Sequence, residues 1–201
     1  MLFGELFASG NAELKGERVT LRHPRKSDYR AWAELRRNSR DFLEPWEPRW
    51  APDELARRAW RERLRQYVQD RRRGHGHTFF VLERQTGALA GGISIGNVRR
   101  GVAQSGQIGY WMGEKFAGHG LMGEALSLVV EYGFRGLGLH RIEAACIPDN
   151  KRSIRVLEKA GFSREGLLRS YLRINGAWRD HLLFALIDED FQDKKDRGPV
   201  T

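Results

Sequence analysis

The sequence predicts a mixed α/β fold in one domain, and three observations carry the prediction. Seven short runs alternate apolar and polar residues with the two-residue period of a strand. Four other stretches repeat apolar residues every three to four positions, as helices packed against a sheet do. Between the strand-like run at 107–112 and a helical run beginning at Leu121 lies a glycine-bearing loop, a strand–loop–helix junction. A length of 201 residues fits a single domain with short appendages, an N-terminal extension over 1–15 and a charged C-terminal tail over 188–201.

The elements follow in order. Val19 and Leu21 alternate with Arg18, Thr20 and Arg22 as a strand, and Ser27 stands where a helix N-cap belongs before Trp32 and Leu35. Pro45, Pro48 and Pro52 break the chain into a loop that carries Trp46 and Trp50. An Arg-rich helix follows, with Leu55, Trp60, Leu64, Tyr67 and Val68 at helical spacing. Residues 78–82 and 89–95 form a hairpin turned at Gln85, Thr86 and Gly87, and 107–112 is the next strand. The helix from Leu121 ends around Gly136 and Gly138, and residues 141–147 alternate again up to Pro148. Asn150 caps a short helix carrying Ile154, Leu157 and Ala160, and Gly161 sits at its C-terminal stop. Asn175-Gly176 joins the last two strands, 166–174 and 181–187, as a tight hairpin, and the charged tail beyond is expected to fray.

Composition narrows the classes. The formal net charge is +9, but only seven of the 35 basic residues are Lys, and an Arg skew of that kind is weak evidence for phosphate contacts. The densest basic stretch, 57–73, reads as a solvated helix face over an apolar stripe, so direct nucleic-acid binding is not expected. One Cys excludes an intramolecular disulfide, and no Cys/His cluster has metal-ligand spacing. The N-terminus lacks a signal-peptide pattern and no apolar run reaches about 18 residues, which predicts a cytoplasmic protein without membrane contact.

The glycine loop carries the first chemistry. In Ala117-Gly118-His119-Gly120-Leu121-Met122 several N–H groups at a helix start lack internal partners, and together with the helix dipole they favour an anion. Gly118 and Gly120 remove side chains that would hold a diphosphate off the backbone. No Gly-Lys-Ser or Gly-Lys-Thr follows, so this is not a Walker loop. A dinucleotide fingerprint through Gly118, Gly120 and Gly123 fits poorly, because the preceding chain reads as antiparallel hairpins.

Further blocks are Ile108-Gly109-Tyr110-Trp111, then Gly123-Glu124-Ala125, Arg141-Ile142-Glu143-Ala144, and the stretch Asn150-Lys151-Arg152-Ser153 through Gly161-Phe162. In this order the chain resembles the GNAT superfamily of acyl-CoA-dependent N-acetyltransferases, and within it the RimJ/RimL ribosomal-protein group, over about 18–187. The resemblance implies a three-layer fold whose twisted mixed sheet of about seven strands splays between its fourth and fifth strands. Acetyl-CoA would lie in the splay. Its pantetheine arm would pair with the backbone near Trp111 and Met112, and its diphosphate would sit on the loop Ala117, Gly118, His119, Gly120, Leu121, Met122 and Gly123. Asn150, Arg152, Ser153 and Arg155 would contact it from the other wall. Ala117 departs from the Gln or Arg usual in the family, and Met122 from a small residue, at little cost to a grip made by backbone.

Amide formation needs a free amine, a stabilised oxyanion and a proton for the leaving thiolate. Many relatives in the family place a Tyr seven residues after the motif Asn for that proton; here Leu157 stands there, and Ser153 is the nearest replacement. Ser153 reads equally as a helix-start contact to backbone or phosphate. Glu143, a carboxylate in an otherwise apolar strand, is the leading base, with a structural salt bridge as the competing reading. Cys146 points to the other face and reads as core. Trp46, Trp50, Tyr110 and Asp180 are expected to border the acceptor, with Glu44 and Glu47 near the amine; both Trp side chains read equally as loop packing. The function implied is direct acetyl transfer to a protein N-terminus, possibly that of a ribosomal protein. A small amine acceptor, such as a polyamine, amino-acid derivative or antibiotic, and a noncatalytic acyl-CoA- or RNA-binding module are the alternatives. Monomer and homodimer stay open.

Overall fold

In the computed structural model residues 13–197 are described, the last five of them by backbone alone. Eight strands are present among them: β1 (Leu14–Lys15), β2 (Val19–Arg22), β3 (His77–Glu83), β4 (Leu89–Arg99), β5 (Ser105–Met112), β6 (Arg141–Cys146), β7 (Ser163–Ile174) and β8 (Ala177–Ile187). The helices are α1 (Tyr29–Asn38), α2 (Arg40–Leu43), α3 (Arg57–Arg73), α4 (Leu121–Glu131), α5 (Lys151–Ala160) and α6 (Asp188–Arg197). The strands form one mixed sheet in the order β1-β2-β3-β4-β5-β6-β8-β7. Every neighbouring pair is antiparallel except β5 with β6.

All seven expected strands appear. The eighth, β1, is two residues long and too short to show a period, so the splay expected between the fourth and fifth strands falls between β5 and β6.

Alternation along β3 sorts the helices into two layers. Phe80 stacks on Trp60 of α3, which stacks on Trp32 of α1, with ring centroids 5.8 and 4.8 Å apart. Its neighbour Phe79 points to the opposite face and meets Tyr132, just beyond α4, edge-on at 5.5 Å. On that second face Leu126 and Val129 of α4, Ile142 of β6 and Leu157 of α5 are fully buried. Each such side chain contributes about 1.5–3 kcal/mol relative to exposure, and the sheet is held between two helical layers.

Two local expectations change. Ser27 lies inside a single 3-10 turn, Lys26–Asp28, and α1 begins after Asp28, whose carboxylate accepts the Arg25 N–H at 2.7 Å. The charged tail is helical over Asp188–Arg197. Phe191 packs on Phe134 at 5.3 Å, and Asp188, Glu189 and Asp190 complement the positive end of the helix. The remainder of the tail, 198–201, and residues 1–12 of the N-terminal extension lie outside the described residues. No helix among the described residues is long and apolar enough to cross a membrane.

Candidate active site

Parallel strands β5 and β6 pair from Ser105↔Arg141 to Ile108↔Ala144 and then part. Past that point β5 follows β4 as far as Met112, while β6 follows β8 as far as Cys146. Half of the backbone groups of Gly109–Met112 therefore face an edge with no strand beside it. Inside this opening the Tyr110 hydroxyl of β5 lies 2.7 Å from the Ser153 hydroxyl on the first turn of α5, and 3.3 Å from the Ser153 carbonyl. Burial pushes the Tyr110 phenol well above its ordinary range, so it stays protonated. Burial also pushes up the Cys146 thiol, with the Ser153 side chain pulling it back. That is the reverse of an activated thiolate. Leu157, the position where many relatives carry Tyr, is core at 1% exposure.

The glycine loop opens α4. Gly118 and Gly120 have φ of +85° and +79°, values an L side chain resists, and Gly120 is the helix N-cap with no side-chain cap. None of the N–H groups of 118–123 donates to a backbone acceptor among the described residues. Ala117 departs from the expectation, since its N–H closes a turn onto Glu114 O at 3.0 Å. A Cβ at Gly118 or Gly123 would meet no atom within 4 Å, so the backbone there faces open space. His119 is exposed, whereas the side chains of Leu121 and Met122 turn into the core and leave only backbone at the loop.

On the α1/α3 face the Trp111 ring lies over Gly92, where a Cβ would sit 2.5 Å from its Nε1. The Arg36 guanidinium is held between Trp111 at 5.0 Å and Trp50 at 4.5 Å and donates twice to Glu47, which also accepts from Trp50 Nε1 at 2.8 Å. Trp50 therefore packs its loop down, and Trp46 is the exposed indole. Nearby, a cavity of about 700 Å³ is lined by Tyr67, Thr78, Ser94, Asn97, Arg99 and Gln107. Ser94 pairs with Gly109, the first β5 residue past the parting of the strands.

Several expected ligands have other partners. Glu143 sits in the paired part of β6, with Arg141 Nε at 2.8 Å and Arg99 at 3.6 Å. With two Arg partners its geometry is that of the structural salt bridge. Asn150 Oδ1 accepts the Ser153 N–H at 3.1 Å as the cap of α5. Arg152 stacks on Phe42 at 4.9 Å, and Arg155 Nε donates to Lys151 O at 3.3 Å. Asp180 accepts the Ser170 N–H at 2.8 Å and holds an irregularity of β7, where Ser170 has φ +47°. Glu44 is paired with Arg40.

Two residues escaped sequence reasoning. Arg36 continues the buried face of α1 four residues after Trp32, and an Arg on an apolar stripe was the available signal. Arg18 looked like the solvent side of a strand, yet it reaches the glycine loop: it donates to His119 O at 3.0 Å and to Glu124 at 3.2 Å.

Residues 18–163 match the family described as "Acetyltransferase (GNAT) domain". The chain is 36% identical over 177 residues to the "Probable N-acetyltransferase YjcK" of Bacillus subtilis, covering 88% of this chain and 98% of that protein. To the ribosomal protein uS5-alanine N-acetyltransferase of Escherichia coli it is 33% identical over 190 residues, covering 94% and 98%. Among solved structures it superposes on Mycobacterium smegmatis RimJ in complex with CoA-disulfide with a TM-score of 0.82 and 38% identity, covering 86% of this chain and 83% of the other. For the ribosomal-protein alanine acetyltransferase of Vibrio fischeri the TM-score is also 0.82, with 32% identity and coverage of 89% and 98%.

Proposed function

The chain belongs to the GNAT acetyltransferase family, and from that premise we propose that this acetyl-CoA-dependent N-acetyltransferase acts on the N-terminal α-amine of a protein, of the ribosomal class named for its Escherichia coli relative. Membership sets aside the noncatalytic module. The observation that carries the mechanism is the parting of β5 and β6 after Ile108 and Ala144, with the Tyr110–Ser153 hydroxyl pair inside the opening.

Acetyl-CoA supplies an acyl carbon activated as a thioester. The unpartnered N–H groups of 118–123, with open space above Gly118 and Gly123, fit its diphosphate, and the free edge of Gly109–Met112 fits the pantetheine amides. The Ser153 hydroxyl would donate a hydrogen bond to the departing sulfur, relaying to it the proton that the attacking amine gives up so that the hydroxyl is restored, and Tyr110, held protonated by burial, fixes that hydroxyl. The amine reaches the opening across Ser94 and Gly109 from the cavity on the α1/α3 face. No protein base is assigned. An α-amine with a pKa near 7.7–8.0 is neutral in roughly one molecule in seven at pH 7, against a few in ten thousand for a Lys side chain near 10.4. The nearby carboxylates Glu44, Glu47 and Glu143 are each paired with Arg, which leaves little to attract a polyamine toward a chain of net charge +9.

Thiol release, with mass spectrometry of the acceptor, tests the reading. Peptides with a free Ala or Ser N-terminus are expected to give at least about tenfold higher kcat/KM than N-blocked, Lys-containing peptides or spermidine. A preference for spermidine or an antibiotic amine over every peptide would replace the protein acceptor with a small molecule.

A further inference from the structure

We propose that Arg18, which precedes β2, is a positioning residue for the phosphate-bearing end of the cofactor, orienting the glycine loop and cancelling the one carboxylate in the first turn of α4. The inference rests on the cofactor loop proposed above.

The guanidinium makes two bonds at once. One of its terminal nitrogens, Nη1, donates to the carbonyl of His119 at 3.0 Å, and Nε donates to Glu124 Oε2 at 3.2 Å. The Arg18 backbone N–H meets Glu124 Oε1 at 2.8 Å. Nη2 stands 3.1 Å from where a Cβ on Gly120 would be, so the planar group lies against the loop itself.

In a trans peptide the carbonyl of one residue and the N–H of the next point in opposite directions, and no peptide bond here is cis. Tying the His119 carbonyl toward Arg18 therefore turns the Gly120 N–H away from it, as a donor to a ligand must be. The peptide needs such an anchor. It ends on Gly120 and lies one residue beyond Gly118, both at positive φ, and glycines of this kind permit peptide rotation that other residues resist. Charge supplies the second reason. Glu124 is the only acid in the first turn of α4, where its charge would compete with a phosphate for the positive helix end. Arg18 neutralises it, and the remaining N–H groups of the guanidinium lie beside the loop. Backbone bonds hold the residue in place, Arg84 N–H donating to Arg18 O at 2.8 Å.

The test compares ligands that share the reacting end and differ in phosphate. Calorimetric Kd for CoA and steady-state KM for S-acetylpantetheine, which lacks the diphosphate, are measured for the wild type, Arg18→Met and Arg18→Lys. Arg18→Met is expected to weaken CoA about tenfold, the loss of one charge-assisted contact. S-acetylpantetheine kinetics should stay within about twofold, and Arg18→Lys should fall between. Adding Glu124→Gln to Arg18→Met should recover part of the CoA affinity. Unchanged CoA affinity in Arg18→Met overturns the proposal, as do equal losses with both ligands, which would mark Arg18 as a general fold contact. If Gly120→Val weakens CoA while Arg18→Met does not, the loop reading stands and only the role of Arg18 fails. If the wild type binds CoA no more tightly than pantetheine, the loop reading fails and this inference with it.

Discussion

Helices α4 and α5 flank the same opening and begin in opposite ways. At α5 the chain satisfies itself: Asn150 Oδ1 takes the Ser153 N–H, and the first turn closes without help. At α4 the N-cap is Gly120, no side chain caps the helix, and the N–H groups of 118–123 have no backbone acceptor among the described residues. A side-chain cap contributes about 1 kcal/mol, so the bare start of α4 is a local cost that a bound anion would offset. On the cofactor reading proposed above, the difference separates a helix start closed by its own chain from one that a ligand would complete.

The largest expected effect breaks the open start. Gly120→Val forces a β-branched side chain onto a φ of +79° and toward the Arg18 guanidinium. CoA affinity should fall by two orders of magnitude or more, roughly 2.7 kcal/mol, as calorimetry reads it. Undiminished affinity would remove the distinction between the two starts.

The far end of α4 adds a pH axis. Beyond the helix, the Tyr132 hydroxyl lies 2.9 Å from His77 Nδ1. Burial first, then the positive charge of nearby His23, Arg71 and Arg100, lowers the His77 imidazole from 6.5 to about 4, and burial also lowers His23. Between those two values the unfolded chain binds a proton that the folded chain refuses. The stability contributed by the neutral His77 ring is therefore complete above about pH 6.5, is lost as pH drops toward 4, and changes no further below, where carboxylates such as the Arg141-bound Glu165 continue the decline. The loss should be about 2 kcal/mol for a partly solvated ring, seen as a falling urea midpoint. His77→Gln should flatten that slope; an unchanged slope would assign the acid sensitivity to other groups.

The smallest effects sharpen the comparison within α5. Ser153→Ala should lower kcat about tenfold at nearly constant CoA affinity. Asn150→Ala should cost about 1 kcal/mol of stability and leave CoA affinity within about twofold. A large rise in CoA Kd for Asn150→Ala would return that side chain to the cofactor.

Particular residues show what was legible. The cap at Asn150, the C-terminal stop at Gly161 with φ +96° and the Asn175-Gly176 turn with φ of +44° and +83° are all visible in the chain, because each depends on neighbours within a few residues. The glycine loop was legible for the same reason. Glu143 could be picked out as a carboxylate in a strand, but its partner Arg99 comes from β4, and only the strand order brings that side chain within 3.6 Å. The partner of Asp180 was hidden in the same way, since the backbone N–H it accepts, that of Ser170, belongs to the neighbouring strand.

The sequence by itself determined the succession of strands and helices, the turns and the uncapped start of α4, since periodicity, φ preference and capping act over one to four residues. The tertiary structure alone decided the joining of Tyr110 to Ser153, the seating of Arg36 between Trp50 and Trp111, and the reach of Arg18 to His119 across 101 positions. Those contacts follow from sheet order and the parting of β5 from β6. A polar side chain's partner is set by which distant groups the packed core delivers beside it, and no local preference encodes that.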